Sequence, residues 1–376
     1  MGVLPFHLTD TIFEDSFSLQ ADFGLSILNQ LPTNETFVFS PLTLALGLAM
    51  IHSGSRNTTR EQFEEPLRFV RTSFDPANYT DSLHDLYASQ NLTDGAKVQM
   101  ANYLFIRQGV SVNPDFVEEA KKNFFGDVKF IDFGDFKAKE TINSFMDHST
   151  IGNIPSIADT FAPNSSMFLA TALHFDAKWK NPFYRTATVT SPFHMDDGSI
   201  IYLPLMHSTD EYLYGETDKW KVLGLHYANQ NFVLNLILSK TESDISSLRK
   251  PFSIQGTDLR DLLKNLEYQE VSVTLPRFKV DYSLDPRPYL NSLGLSSIFR
   301  KEADLGEIAQ GLFVSQTSQR AVFSVDEDGT RLSPKAPVKF FSELIGDEPA
   351  VFRADKPFFF VLTHRNSLLY MGQFYG

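Results

Sequence analysis

Cysteine is absent from the 376 residues, so disulfides, thiolate nucleophiles and cysteine-held metal or iron–sulfur sites are all excluded. Long apolar runs are scarce as well. The longest in the first half, Leu44 to Ile51, is far short of the ~20 residues that cross a bilayer. Positive charge is in deficit: 33 Lys and Arg against 46 Asp and Glu leave a net charge of −13, which repels nucleic acid and anionic membranes. Neither is expected as a partner. The start, Met1 to His7, has no basic stretch followed by an apolar one, and Phe6 breaks the myristoylation pattern that Gly2 opens. A cytoplasmic protein is expected, or an extracellular one if a signal was removed before this numbering. N-x-S/T triplets at Asn34, Asn57, Asn78, Asn91 and Asn164 are read as chance matches.

Catalytic patterns are missing too. There is no G-x-S-x-G, H-E-x-x-H, G-x-x-x-x-G-K or G-x-G-x-x-G, and Ser53-Gly54-Ser55 reads as a helix stop. The histidines never fall at metal-ligand spacing on one expected element, and Glu64-Glu65 and Glu118-Glu119 belong to solvated helix faces. No enzyme, cofactor or metal is expected.

No linker, repeat or low-complexity segment divides the chain, which points to one domain over 1–376. Phe17, Ala21, Leu25 and Leu28 recur at helical spacing. Ser40-Pro41 supplies an N-cap and a first-turn proline to a segment apolar on nearly every face, hence a central helix, which Gly54 can close in a left-handed conformation. Thr58 with Glu61 reads as a capping box. A further helix starts at Asn113-Pro114 and stops at Gly126. Strands are expected at Val98 to Ile106, Met167 to Phe175, Phe232 to Leu238, Val271 to Phe278, Ala321 to Val325 and Phe358 to Leu362, the last forming a hairpin with Leu368 to Met371. Helices early and strands late imply an α+β fold with mainly antiparallel sheets.

Several blocks together resemble the serpin family over nearly the whole chain. Phe39-Ser40-Pro41-Leu42-Thr43 with Gly54 and Thr58 is similar to the family's F-S-P-L-S…G…T block; Ile142-Asn143 through Thr150 and Gly152 resembles I-N-x-W-V…T-x-G, with Phe145 and Met146 replacing Trp-Val. Ala172-Leu173-His174-Phe175 with Trp179 and Phe183, Thr274 to Phe278, Leu293-Gly294-Leu295 with Phe299, Val314-Ser315 and Val325 to Thr330 follow in family order. Phe352 to Phe358 and Met371-Gly372 resemble the C-terminal signature.

The resemblance implies helices around a three-sheet system with an exposed reactive-centre loop, and suicide inhibition of serine or cysteine proteases. In that mechanism the cleaved loop inserts into the main sheet of a metastable protein. The hinge would be Glu327, Gly329, Thr330, Arg331, Leu332, Ser333 and Pro334, and the loop from Thr330 to Val351 is expected outside the main sheet. Inward positions would be Thr330, Leu332, Pro334, Ala336, Val338 and Phe340. Pro334 and Pro337 cannot donate to a central strand, and Arg331, Leu332 and Lys335 replace the small residues that inhibitory members favour. Weak or absent inhibition is therefore expected.

Counting from either end places the scissile bond in Ser342, Glu343, Leu344, Ile345 and Gly346. That window holds no Arg or Lys, and Leu344 would suit an apolar protease pocket if inhibition is retained. Where the family parts its strands, Ser40 is kept, Trp179 packs nearby, and Thr171 and Gln319 stand in place of asparagine and histidine. Gln319 can donate and accept without titrating, which excludes a histidine gate there. Many members bind heparin near residues 80–95, but no Lys or Arg lies between Arg71 and Lys97, so heparin is not expected to bind that surface.

Overall fold

The computed structural model describes residues 7–64, 96–240, 256–330, 348–365 and 367–376. The elements that position the site are α1 (His7–Leu28), β1 (Phe37–Phe39), α2 (Pro41–Ser53), α3 (Asn57–Glu61), β2 (Ala96–Arg107), α4 (Pro114–Phe124), β3 (Gly126–Ile131), α5 (Ala138–Ser149) and β4 (Met167–Lys178). Then come β5 (Val189–His194), β6 (Ile200–Glu216), β7 (Trp220–His226), β8 (Phe232–Ser239), α6 (Gly256–Lys264), β9 (Glu267–Pro276), β10 (Phe278–Leu284) and α7 (Arg287–Ser292). The chain ends with β11 (Val314–Val325), β12 (Gly329–Thr330), β13 (Ala350–Arg353), β14 (Phe358–His364) and β15 (Ser367–Phe374).

These strands make two hydrogen-bonded sheets among the described residues, where three were expected. One runs β1-β15-β14-β8-β7-β6-β9-β13 with β5 on β6; the other runs β10-β11-β4-β2-β3 with β12 on β4. The merger comes from the 17-residue β6, whose first residues pair with β5 while its last pair with β7. Most pairings are antiparallel; β11 with β4, β2 with β3 and β13 with β9 are parallel. The expected strand Val271 to Phe278 is divided at Arg277. Pro276 still pairs with Leu205 in the larger sheet, whereas Phe278 pairs with Val325 in the smaller one.

Helix α2 is buried from Pro41 to Ile51, as a segment apolar on every face must be. Ser40 Oγ accepts from Thr43 N at 3.2 Å and Pro41 fills the first turn. Gly54 is not left-handed, with φ −88. It is required for close packing: a Cβ there would lie 2.1 Å from Ile308 Cγ1. Helix α4 starts on the Asn113 side chain but stops one residue earlier than expected, with Phe125 in the left-handed region at φ 49. Thr58 lies inside α3, whose N-cap Arg56 makes no side-chain cap bond, so there is no capping box. Asn57 Nδ2 donates to Asp304 Oδ2 at 2.7 Å instead.

Strand β4 is buried on both faces. Met167, Leu169, Leu173, Phe175 and Ala177 enter the large core shared with α2 and the other sheet. Phe168, Ala170 and Ala172 enter a second core with Ile142 and Met146 of α5 and Ile154, Ile157 and Ala158 of the crossover that follows it. The period of two explains this division. The crossover is tied to β11 by Arg320 Nη1 donating to Ser156 O and Gln316 Nε2 donating to Thr160 O at 3.1 Å.

Candidate functional site at the β4–β11 seam

Strands β4 and β11 lie side by side in parallel, from Met167 opposite Val314 to His174 opposite Val322. A polar cluster sits midway. Gln319 is 1% exposed and stands opposite Thr171. Its Oε1 accepts from Ser40 N at 2.9 Å, and its Nε2 donates to Ser40 O at 2.8 Å and to Thr43 Oγ1 at 2.9 Å. Thr171 Oγ1 is within 3.5 Å of the same nitrogen. One uncharged amide thus satisfies both backbone groups of Ser40, the residue that caps α2, and fastens β11 to the central helix. Toward the hinge, Tyr370 of β15 donates its hydroxyl to Leu173 O on β4 at 2.5 Å, with Val322 O on β11 at 3.4 Å.

Beyond His174 the two strands diverge and the turn 326–328 begins. Trp179 holds it: Nε1 donates to Asp326 O at 2.8 Å, the backbone N donates to Asp328 O at 2.9 Å, and Phe183 N donates to Glu327 O at 2.8 Å. Three consecutive carboxylates need cations and donors there. Arg185 pairs with Asp328 at 2.5 Å, Arg277 stands 3.6 Å from Glu327, and Thr188 donates to Glu327 at 2.8 Å. Asp326 accepts from the backbone N of Asp328 and Gly329, and burial pushes its carboxyl above the usual range.

Gly329 has φ 149, and a Cβ would stand 2.0 Å from Ala177 O, so only glycine fits. Gly329 and Thr330 then pair with Lys178 and Ala177 of β4. Thr330, expected outside the sheet with the loop, is instead 1% exposed and paired within it. A partner in the other sheet accounts for this. The hydroxyls of Thr330 and Tyr227 are 2.7 Å apart, and Tyr227 is fully buried under Trp179, with ring centroids 4.4 Å apart. Burial pushes the Tyr227 and Tyr370 phenols far above their ordinary range, so both stay neutral hydroxyls.

The expected residues thus fall into two groups along one seam: Ser40, Thr171 and Gln319 at mid-seam, and Trp179, Glu327, Gly329 and Thr330 at its open end. Arg331, Leu332, Ser333, Pro334, the window Ser342 to Gly346 and the 80–95 surface lie outside the described residues. Val351 is 53% exposed and belongs to β13, where it pairs with Ser272 of β9. Sequence reading missed Tyr227, Tyr370, Arg185 and Arg277. The two tyrosines carried one signal: each is a phenol in an apolar strand or its turn, and a buried phenol needs a partner. Among the described residues, no group of three or more His, Cys, Asp or Glu could hold a metal, and no helix is long and apolar enough to cross a membrane.

A family model described as Serpin (serine protease inhibitor) matches residues 18–376. Leukocyte elastase inhibitor of Homo sapiens is 28% identical over 374 residues, covering 94% of this chain and 96% of that protein. Neuroserpin of Gallus gallus is 27% identical over 390 residues, covering 99% and 93%. Among solved structures, uncleaved ovalbumin superposes with a TM-score of 0.85 at 22% identity, covering 96% of this chain and 99% of that one. Human thyroxine-binding globulin complexed with thyroxine gives 0.85 at 23% identity, covering 96% and 98%. With matching blocks in order, a parallel seam in the smaller sheet and a glycine-dependent turn at its open end, the chain belongs to the serpin family.

Proposed function

We propose that this serpin presents the loop expected over 330–351, between docked Thr330 and β13, to serine or cysteine proteases as a substrate-like decoy or binding element, and that it inhibits them weakly or not at all. The observation that carries this is the register at the hinge, Gly329 opposite Lys178 and Thr330 opposite Ala177. Carried onward between β4 and β11, that register sets Pro334 opposite Leu173 and Pro337 opposite Ala170. Each proline would bring no N–H to a central strand. The same register sets Lys335 opposite Ala172 and Lys339 opposite Phe168, on the face covered by α5 and its crossover. Two lysines there would lose hydration among the apolar side chains of that core. Insertion would also have to part the Gln319 cluster. The chain then acts on a protease as a partner and catalyses nothing itself, as one unit over 1–376. If inhibition is retained, the bait residue lies near Leu344 and the target has an apolar pocket.

Incubation with trypsin-like, chymotrypsin-like and elastase-like enzymes is expected to give a cleaved band on a denaturing gel and little or no protease-linked band. A stoichiometric linked band with any of them establishes the inhibitor reading in its place.

A second reading, a carrier, is favoured by a cavity of about 180 Å³ between α1, α6 and the larger sheet. Phe17, Leu213 and Leu263 give it an apolar wall, and Arg260, Lys264 and Arg365 give it positive charge. That lining suits an aromatic anion, and one structural neighbour is a thyroxine complex. Titration with 8-anilinonaphthalene-1-sulfonate is expected to show saturable binding at one site, weakened about tenfold in Arg260→Ala. Unchanged binding in that variant removes the carrier reading.

A further inference from the structure

We propose that Tyr227 is the positioning residue that fixes where the loop leaves the sheet, by holding Thr330 docked against β4. The inference rests on reading Gly329 onward as the hinge. Tyr227 follows β7 in the larger sheet, while Thr330 is paired in the smaller one, so the bond between their hydroxyls joins the two sheets at the hinge itself. Both side chains are at most 1% exposed. The phenol cannot turn away to find water. Its ring is held by Trp179 at 4.4 Å and Phe175 at 4.9 Å, and its backbone by Tyr227 N donating to Phe232 O at 3.1 Å and by the bridge to Trp179.

The energetics favour docking. If Thr330 leaves, the Tyr227 hydroxyl is stranded in an apolar pocket, and an unsatisfied buried hydroxyl is costlier than an ordinary bond is favourable. Trp179 contributes to the same lock, since it stacks on Tyr227 and bonds the turn 326–328 through Nε1 and its backbone N. The turn and the first docked residue therefore move together, and the loop is presented from a fixed point one residue beyond Gly329.

Trypsin provides the test, because Arg331 directly follows the docked residue. Cleavage after Arg331 requires Gly329 and Thr330 to leave β4, whereas cleavage after Lys339 does not, so the ratio of the two rates reads the undocked population. In the full-length protein, followed by mass spectrometry of the fragments, Tyr227→Phe is expected to raise that ratio about fivefold or more, the effect of one lost buried hydrogen bond. Thr330→Val removes the other end of the same bond and is expected to raise it equally; it carries the test alone if Tyr227→Phe does not fold. Tyr370→Phe also deletes a buried phenol hydroxyl, but one that touches neither Gly329 nor Thr330, and is expected to leave the ratio unchanged. An unchanged ratio in both hinge variants overturns the proposal. So does an equal rise in Tyr370→Phe, which would mean general loosening. The protease gel reads a different property: a linked complex would overturn the decoy reading and leave this ratio to be judged by itself.

Discussion

Cleavage inside Ser342 to Gly346 is expected to leave the melting temperature of this serpin nearly unchanged. A serpin that inserts its cut loop gains a central strand and becomes much more heat-resistant, because each new backbone hydrogen bond contributes about 0.5–1.5 kcal/mol. Here the seam would receive two prolines and two lysines in the register set by Thr330 opposite Ala177. Each proline leaves a buried carbonyl unsatisfied at about 1–3 kcal/mol, and each lysine would enter the core shared by Ala172, Phe168 and Met146. Differential scanning calorimetry before and after nicking is the measurement. The variant Leu332→Ala with Pro334→Ala, Lys335→Ala, Pro337→Ala and Lys339→Ala is expected to restore a large cleavage-dependent rise. Arg331 is kept in it, since the same register puts it opposite Asp176. A large rise in the unmodified protein would show that the prolines do not block insertion. No rise in the variant would move the block to the Gln319 cluster.

The second large effect belongs to Gln319. Gln319→Leu keeps the volume but removes the acceptor for Ser40 N and the donor for Ser40 O and Thr43 Oγ1. The stranded Ser40 N–H alone costs about 1–3 kcal/mol, and loss of the remaining bonds brings the expected destabilisation to about 3 kcal/mol. Urea unfolding is expected to show it as a lower midpoint with an unchanged slope. Gln319→Glu puts a carboxylate at a site that is 1% exposed. Burial raises that carboxyl in the folded state above its unfolded value of about 4.3, so its protonated form stabilises at low pH and that stability is lost as pH rises through the folded value. The glutamate variant is therefore expected to be weaker than the leucine variant at neutral pH and to recover on acidification. A leucine variant as stable as the parent would show that the cluster does not hold β11 to α2.

Much of this was legible along the chain, and for local reasons. Ser40-Pro41 followed by apolar residues on every face can only be a buried capped helix, and α2 is one. The apolar runs Met167 to Phe175 and Ala321 to Val325 mark β4 and the end of β11, and the ordered blocks from Phe39 to Gly372 identify the family. The prolines at 334 and 337, legible in the sequence, have no backbone N–H to give to a central strand. What the chain could not declare was which residues meet across long separations. Gly54 does end α2, as its helix-stop reading had it, but in a right-handed conformation, and Ile308 packed over it leaves no room for a Cβ. Lys335 and Lys339 alternate with the inward positions in the sequence, which does not tell that α5 and its crossover roof the Phe168, Ala170 and Ala172 face of β4. Thr330 read as the first residue of a free loop, and Tyr227, 103 positions away, draws it into the sheet. Periodicity and capping report the energy of a residue among its near neighbours. The docking of Thr330, the bracing of Tyr370 and the pairing of Arg185 with Asp328 depend on desolvated hydrogen bonds that exist only once two sheets have closed on one another, and the tertiary structure alone decided those.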